Sequence, residues 1–199
     1  MKINQLMTDL LLIQTKLQNE AIAVVEKLNL RPLLGRYGHF TLVGSIVYGL
    51  MTWRDIDINL IMPHVPTDTE YSEISRSISS LPQVVRVTHA DNRQLVEADR
   101  PRSMYLGIRY MDDAKNIWKI DVRLLTADAV TTDRIADLIE KNITDESRRI
   151  ILDIKSQVHD DQQYHKAFSS VDIYEAVLIH GVTDIDGFTK YLLRKNITV

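Results

Sequence analysis

Residues 54–62, RDIDINLIM, set two carboxylates one residue apart inside an otherwise apolar, β-branched run. In a strand, side chains alternate faces, so Asp55 and Asp57 project together while Ile56, Ile58 and Leu60 point to the other side. Their Cα atoms then lie about 6–7 Å apart, and both carboxylates can reach one point. Two like charges that close repel, and one must protonate unless a cation sits between them. Hard divalent ions take such oxygen ligands, and Mg²⁺ commonly uses one or two carboxylates plus substrate phosphates. A divalent metal site is the economical reading of the pair.

A second strand-like run, IWKIDVRLL at 117–125, repeats the pattern around Asp121. Trp118, Ile120, Val122 and Leu124 share one face; Lys119, Asp121 and Arg123 share the other. A neighbouring strand of this kind offers a third carboxylate to the same site. Three acidic ligands can hold two metals, which suits in-line displacement at phosphorus. Upstream, Gly44-Ser45 follows the candidate strand HFTLV at 39–43. A glycine there lets the backbone approach a ligand closely. If Ser45 opens a short helix, its hydroxyl and the free N–H groups would bind an anion such as a triphosphate.

The remaining chain supplies a frame for these segments. Apolar positions from Ile3 to Leu28 recur at helical spacing and predict one long amphipathic helix over 3–28, ended by Pro32 and Gly35 in a loop. A short helix or turn is expected over 46–51, a weak helix over 69–80, and further strands over 83–89 and 103–110. Asp112-Asp113 reads as the turn before the 117–125 strand. After Thr126 no strand-like run appears, and helices are expected over 128–142, 145–159, 171–180 and 184–195.

The combination Gly44-Ser45, Asp55-Ile56-Asp57 and Ile120-Asp121-Val122 resembles the DNA polymerase β-type nucleotidyltransferase superfamily, over roughly residues 35–125. The resemblance implies an α+β fold: a mixed β-sheet with helices on one face, followed by a C-terminal helical bundle. It places a catalytic domain at 1–126 and a helical domain at 127–199. It implies two Mg²⁺ ions held by Asp55, Asp57 and Asp121 and an NTP donor, ATP among the options. A nucleoside monophosphate would pass to a hydroxyl with release of pyrophosphate. Gly44, Ser45 and Arg54 are the candidate nucleotide-binding residues. Arg54 stands where many small members have a serine, and either binds phosphate or pairs with Asp121. The alternative is an inactive member of the superfamily that binds nucleotide or a partner protein.

Composition narrows the classes. The chain has 199 residues, no cysteine, and a formal charge of −3. Disulfides, thiolate metal sites and cysteine nucleophiles are excluded. Residues 1–125 carry a net +1 and residues 126–199 a net −4. A chain that tracks a polynucleotide usually carries a basic surplus, so nucleic acid is disfavoured by composition. The acidic C-terminal third suits a cationic acceptor, such as an aminoglycoside-like antibiotic; a protein hydroxyl is a comparable option. The N-terminus lacks a signal-peptide pattern and no run is long enough to span a bilayer, so a soluble, cytoplasmic protein is expected. His159 and His165 are off the spacing of a helical zinc pair. His39, Arg36, Lys119, Arg123, Lys166 and Tyr174 read first as structural or surface residues.

Overall fold

A computed structural model describes residues 2–94, 102–129, 134–159, 161–164 and 166–197. The chain divides into two compact units, one of Leu17–Gly49 and Trp53–Thr132, the other of Met1–Lys16, Leu50–Thr52 and Asp133–Val199. The element order is α1 (Lys2–Lys27), α2 (Leu30–Leu34), β1 (His39–Val43), α3 (Ser45–Tyr48), β2 (Asp55–Met62), α4 (Asp68–Ser79), β3 (Val84–Asp91), β4 (Met104–Met111) and β5 (Ile117–Thr126). A 3-10 turn at Ala127–Ala129 follows, then α5 (Arg134–Asn142), α6 (Asp145–Val158), α7 (Ser170–Leu178) and α8 (Ile185–Arg194). The expected α+β class and mixed sheet are what the fold shows.

In the first unit, one five-stranded sheet runs in the order β1-β2-β5-β4-β3. Only β2 and β5 pair in parallel; the other three pairings are antiparallel. The apolar alternation read from sequence becomes one dry face. Ile56, Ile58, Leu60, Trp118, Ile120, Val122, Leu124, Leu106 and Ile108 are all buried there. Leu17, Ala21, Val24, Val25 and Leu28 of the first helical run are buried as well, at the spacing of one helix stripe. Helix α4 opens with a reciprocal cap between Thr67 and Glu70. It meets β3 through a Ser75 Oγ to His89 Nε2 hydrogen bond of 2.6 Å, on the side opposite the odd-numbered residues of β5.

Two local expectations change. Pro32 does not end the first helix in a loop. It sits inside the short helix α2, in the first turn, where its missing N–H removes no helical bond. The helix expected over 128–142 begins as a 3-10 turn; its described α-helical part is Arg134–Asn142, and residues 130–133 lie outside the described residues. The Asp112-Asp113 turn is present, with the Asp112 carboxylate accepting from the Asn116 backbone N–H at 2.8 Å.

The second unit is helical. Helices α6 and α7 open with reciprocal caps from Thr144 and Ser169, and α8 with Asp184. Phe168, Phe188 and Tyr191 make a run of ring contacts at centroid separations of 5.7 and 6.2 Å. Lys155 is 1% exposed and donates to the Leu50 carbonyl at 2.7 Å and to the Tyr174 hydroxyl at 3.3 Å. Tyr174 is therefore a core residue. Among the described residues no helix is long and apolar enough to cross a membrane.

Candidate metal and nucleotide site

Strand pairing creates the site. Asp57 stands opposite Asp121 across the parallel β2–β5 pair, and opposite Val43 on β1. Asp55 stands opposite Lys119. Each of Asp55, Asp57 and Asp121 offers a carboxylate oxygen, and these atoms all lie within 4.8 Å of one another. Asp55 and Asp121 are buried and Asp57 is half-buried.

The cluster is not left as bare charge. The Lys119 ammonium lies 2.8 Å from Asp121 Oδ2, and 3.2 and 3.3 Å from the two oxygens of Asp55. Burial alone would lower this ammonium; the charges of Asp55 and Asp121 outweigh it and hold it protonated above its ordinary range. Tyr105 on β4 donates its hydroxyl to Asp121 Oδ1 at 2.9 Å. Burial and the Asp121 charge push that phenol up to about 12, so it remains a donor. Trp53 Nε1 donates to Asp55 Oδ2 at 3.4 Å. Asp57 has the least help: burial, then the charges of Asp55 and Asp121, push its carboxyl up to about 7.

Two glycines make room. Gly44 adopts φ 73°, ψ −151°, and a Cβ there would stand 2.8 Å from Asp57 Oδ2. The strand-to-helix turn therefore lies directly over the Asp57 carboxylate. Gly107 is the register partner of Asp121. A Cβ on it would meet the Tyr105 hydroxyl at 2.6 Å, so its bare backbone is the space through which Tyr105 reaches the next strand.

These residues fit a divalent cation. Three convergent carboxylates, one of them held partly protonated by its neighbours, form a hard-oxygen set that a cation would relieve. Lys119 already satisfies part of that demand. Ser45 opens α3 beside Gly44. Arg54 is placed elsewhere. It precedes β2 on the Ile56 side, pairs with Glu20 at 3.4 Å and lies 5.7 Å from the Trp118 ring centre, not against Asp121. Alternation accounts for this, since residues 54 and 56 share a face. His159 closes α6, and His165 lies outside the described residues.

Lys119 lies on the face that strand alternation predicts, but as the partner of Asp55 and Asp121 and not as a surface charge. The signal was its i, i+2 spacing from Asp121. Tyr105 and Gly107 had no signal short of the β4–β5 register.

A prediction follows from Asp57. Its folded pKa of about 7 lies above the ordinary value of 3.8, so the folded state holds this proton more tightly than the unfolded chain. The resulting stability is complete below pH 4 and is lost as pH rises through 7. The loss is at most about 4 kcal/mol. In EDTA, the melting temperature should fall between pH 5 and pH 8, and added Mg²⁺ should raise it more at pH 8. A flat profile in EDTA would show that the three carboxylates do not repel.

No model of a known protein family matches the sequence, and no curated protein matches it. Solved structures do. The Cid1 poly(U) polymerase with MgGTP bound aligns with a TM-score of 0.58 and 18% identity, covering 89% of this chain and 57% of that one. Cid1 in complex with its short product ApU aligns at 0.56 and 17%, covering 84% and 50%. A cytoplasmic RNA terminal U-transferase aligns at 0.53 and 16%, covering 88% and 56%. The chain thus spans little more than half the length of these structures. It shares the fold of these structures over that length.

Proposed function

We propose that a chain with this fold and this carboxylate cluster is a Mg²⁺-dependent nucleotidyltransferase, moving a nucleoside monophosphate from an NTP to a hydroxyl. The observation that carries the reading is the convergence of Asp55, Asp57 and Asp121 within 4.8 Å, directly under the Gly44 turn. Asp55, Asp57 and Asp121 would hold Mg²⁺, two ions in the full reading. When bound, Mg²⁺ supplies charge neutralisation at the reacting phosphate and at the departing pyrophosphate. Gly44 and Ser45 would seat the triphosphate, with the backbone at Gly44 close enough to bring it over Asp57.

In the reaction the acceptor oxygen bonds the α-phosphorus and the α–β bridging P–O bond breaks. Pyrophosphate leaves with that electron pair. Asp121 is the proton acceptor for the attacking hydroxyl. Its second oxygen is oriented by the Tyr105 hydroxyl, whose proton stays in place at neutral pH. Lys119 balances the charge of Asp55 and Asp121 and holds both carboxylates in place.

Lys119 also favours a second reading, in which the fold binds nucleotide or a partner without turnover, the ammonium standing in for the ion. One assay separates the two. Each α-labelled NTP is incubated with Mg²⁺ and an acceptor panel of RNA oligonucleotides, nucleoside diphosphates, aminoglycosides and the chain itself. Labelled product with stoichiometric pyrophosphate, lost in EDTA, is the expected result. NTP binding that ignores EDTA, with no product on any acceptor, would establish the inactive reading instead.

A further inference from the structure

The carboxylate-bearing face of the sheet carries a row of charge whose far end, Arg109 and Arg86, the reaction as described does not use. Asp55 pairs with Lys119, Lys119 with Arg109, and Arg109 with Arg86, each the register partner of the next across β2, β5, β4 and β3. All stand on the carboxylate side: Lys119 and Tyr105 touch Asp121, and Thr88, two residues from Arg86, donates to the Gly107 carbonyl at 3.0 Å. Arg109 is half-buried and Arg86 exposed. Neither has an ion pair with a carboxylate among the described residues.

Such a row is unfavourable by itself. Like charges directly opposite on paired strands destabilise them. Arginine cannot escape by losing its proton. Asp55, the one anion in the row, is already engaged by Lys119. Two guanidiniums side by side are, however, a good match for phosphate, which they grip bidentately.

Position decides which phosphate. Gly44-Ser45, the proposed triphosphate seat, ends β1, on one flank of the β2–β5 pair that carries the carboxylates. Arg109 and Arg86 lie on β4 and β3, the opposite flank. In-line transfer puts the incoming hydroxyl on the side away from the departing pyrophosphate. The arginines therefore flank the acceptor, at about 10 and 14 Å from Asp55 by strand spacing.

We infer that Arg109 and Arg86 bind phosphate on the acceptor, so that the hydroxyl modified belongs to a phosphate-bearing molecule, either a nucleoside polyphosphate or the end of a short single-stranded RNA. This rests on the nucleotidyl-transfer reading. It opposes a polycationic acceptor, which the row would repel. A net charge of −3 conceals the row because it averages over the whole chain.

The test measures binding apart from turnover. Wild type, Arg86→Gln/Arg109→Gln and the off-row control Arg194→Gln are titrated with a labelled RNA hexamer by anisotropy and with GDP by calorimetry. Stabilisation by Mg²⁺-NTP is recorded in parallel. The double variant should lose at least tenfold affinity for the probe that wild type binds, with Arg194→Gln and the NTP response unchanged. For RNA, the slope of log K against log salt should shrink by about 1 to 1.5. Binding of the hexamer alone assigns a nucleic-acid end, and binding of GDP alone assigns a free nucleotide. The inference is overturned if wild type binds neither probe, if the double variant binds as well as wild type, or if it loses NTP instead. Probe binding through the row with no transfer from any NTP would sink the enzymatic reading and leave the row a phosphate site.

Discussion

Asp57→Asn should abolish nucleotidyl transfer and, in metal-free buffer at pH 8, make the protein more stable. Both effects have one cause. Asp57 lies among Asp55 and Asp121, with burial and those two charges pushing its carboxyl up to about 7. At pH 8 and without a cation, the cluster carries a charge it has difficulty holding. Asparagine keeps the shape and removes that charge, so the folded state should gain a few kcal/mol, several degrees in a chain of this size. At pH 5 wild-type Asp57 is already largely protonated, and the difference should nearly vanish. Activity moves the other way. A neutral amide is a far weaker ligand than a carboxylate for a hard divalent ion, and transfer should fall by about a thousandfold or more. Melting in EDTA at both pH values, beside pyrophosphate release in Mg²⁺, reads both arms. A variant less stable than wild type at pH 8 would refute the repulsion, and one that retains turnover would remove Asp57 from the metal site.

What the sequence disclosed and what it concealed divide along a physical line. Alternation within one strand is local, so Asp55, Asp57 and Asp121 could be assigned faces and a dry side without any structure. Register between strands is not local. That Asp57 faces Asp121, rather than a residue two positions along, depends on how the 63 intervening residues return the chain. Lys119 illustrates the boundary. Its face was legible, but its role depends on Asp55 being its partner across β2–β5. Tyr105 depends on the β4–β5 register and on the missing side chain at Gly107. Adjacency to Asp55 suggests a phosphate role for Arg54, but the same alternation that joins Asp55 to Asp57 sends it to Glu20 and Trp118. Pro32 reads as a stop signal in sequence because a helix terminus and a helix first turn look alike there. In the helical unit, Lys155 shows the same limit. A buried lysine donating to a main-chain carbonyl has no signature in an amphipathic pattern that otherwise marks lysine as surface.

Gly44→Ala should be the most damaging substitution outside the carboxylates, and for a reason that no side-chain inventory contains. The φ 73°, ψ −151° backbone at Gly44 belongs to a region that residues with a Cβ adopt only at a cost of about 1–3 kcal/mol. The new methyl would also stand 2.8 Å from Asp57 Oδ2, too close for both atoms to stay. If the carboxylate gives way, it leaves the cluster; if the backbone gives way, the turn carrying Ser45 shifts. A misplacement of an ångström at a reacting centre costs about a hundredfold in rate, and that is the loss expected here. Melting should drop by several degrees. Ser45→Ala is the comparison, since it leaves the backbone conformation untouched and should keep Mn²⁺ affinity while weakening NTP binding. A Gly44→Ala variant should instead lose Mn²⁺ affinity, measured without nucleotide. Introduced into Asp57→Asn, the same change should have no further effect on Mn²⁺, because the group it displaces no longer ligates. Undiminished Mn²⁺ affinity in the single variant would mean that the turn does not govern Asp57.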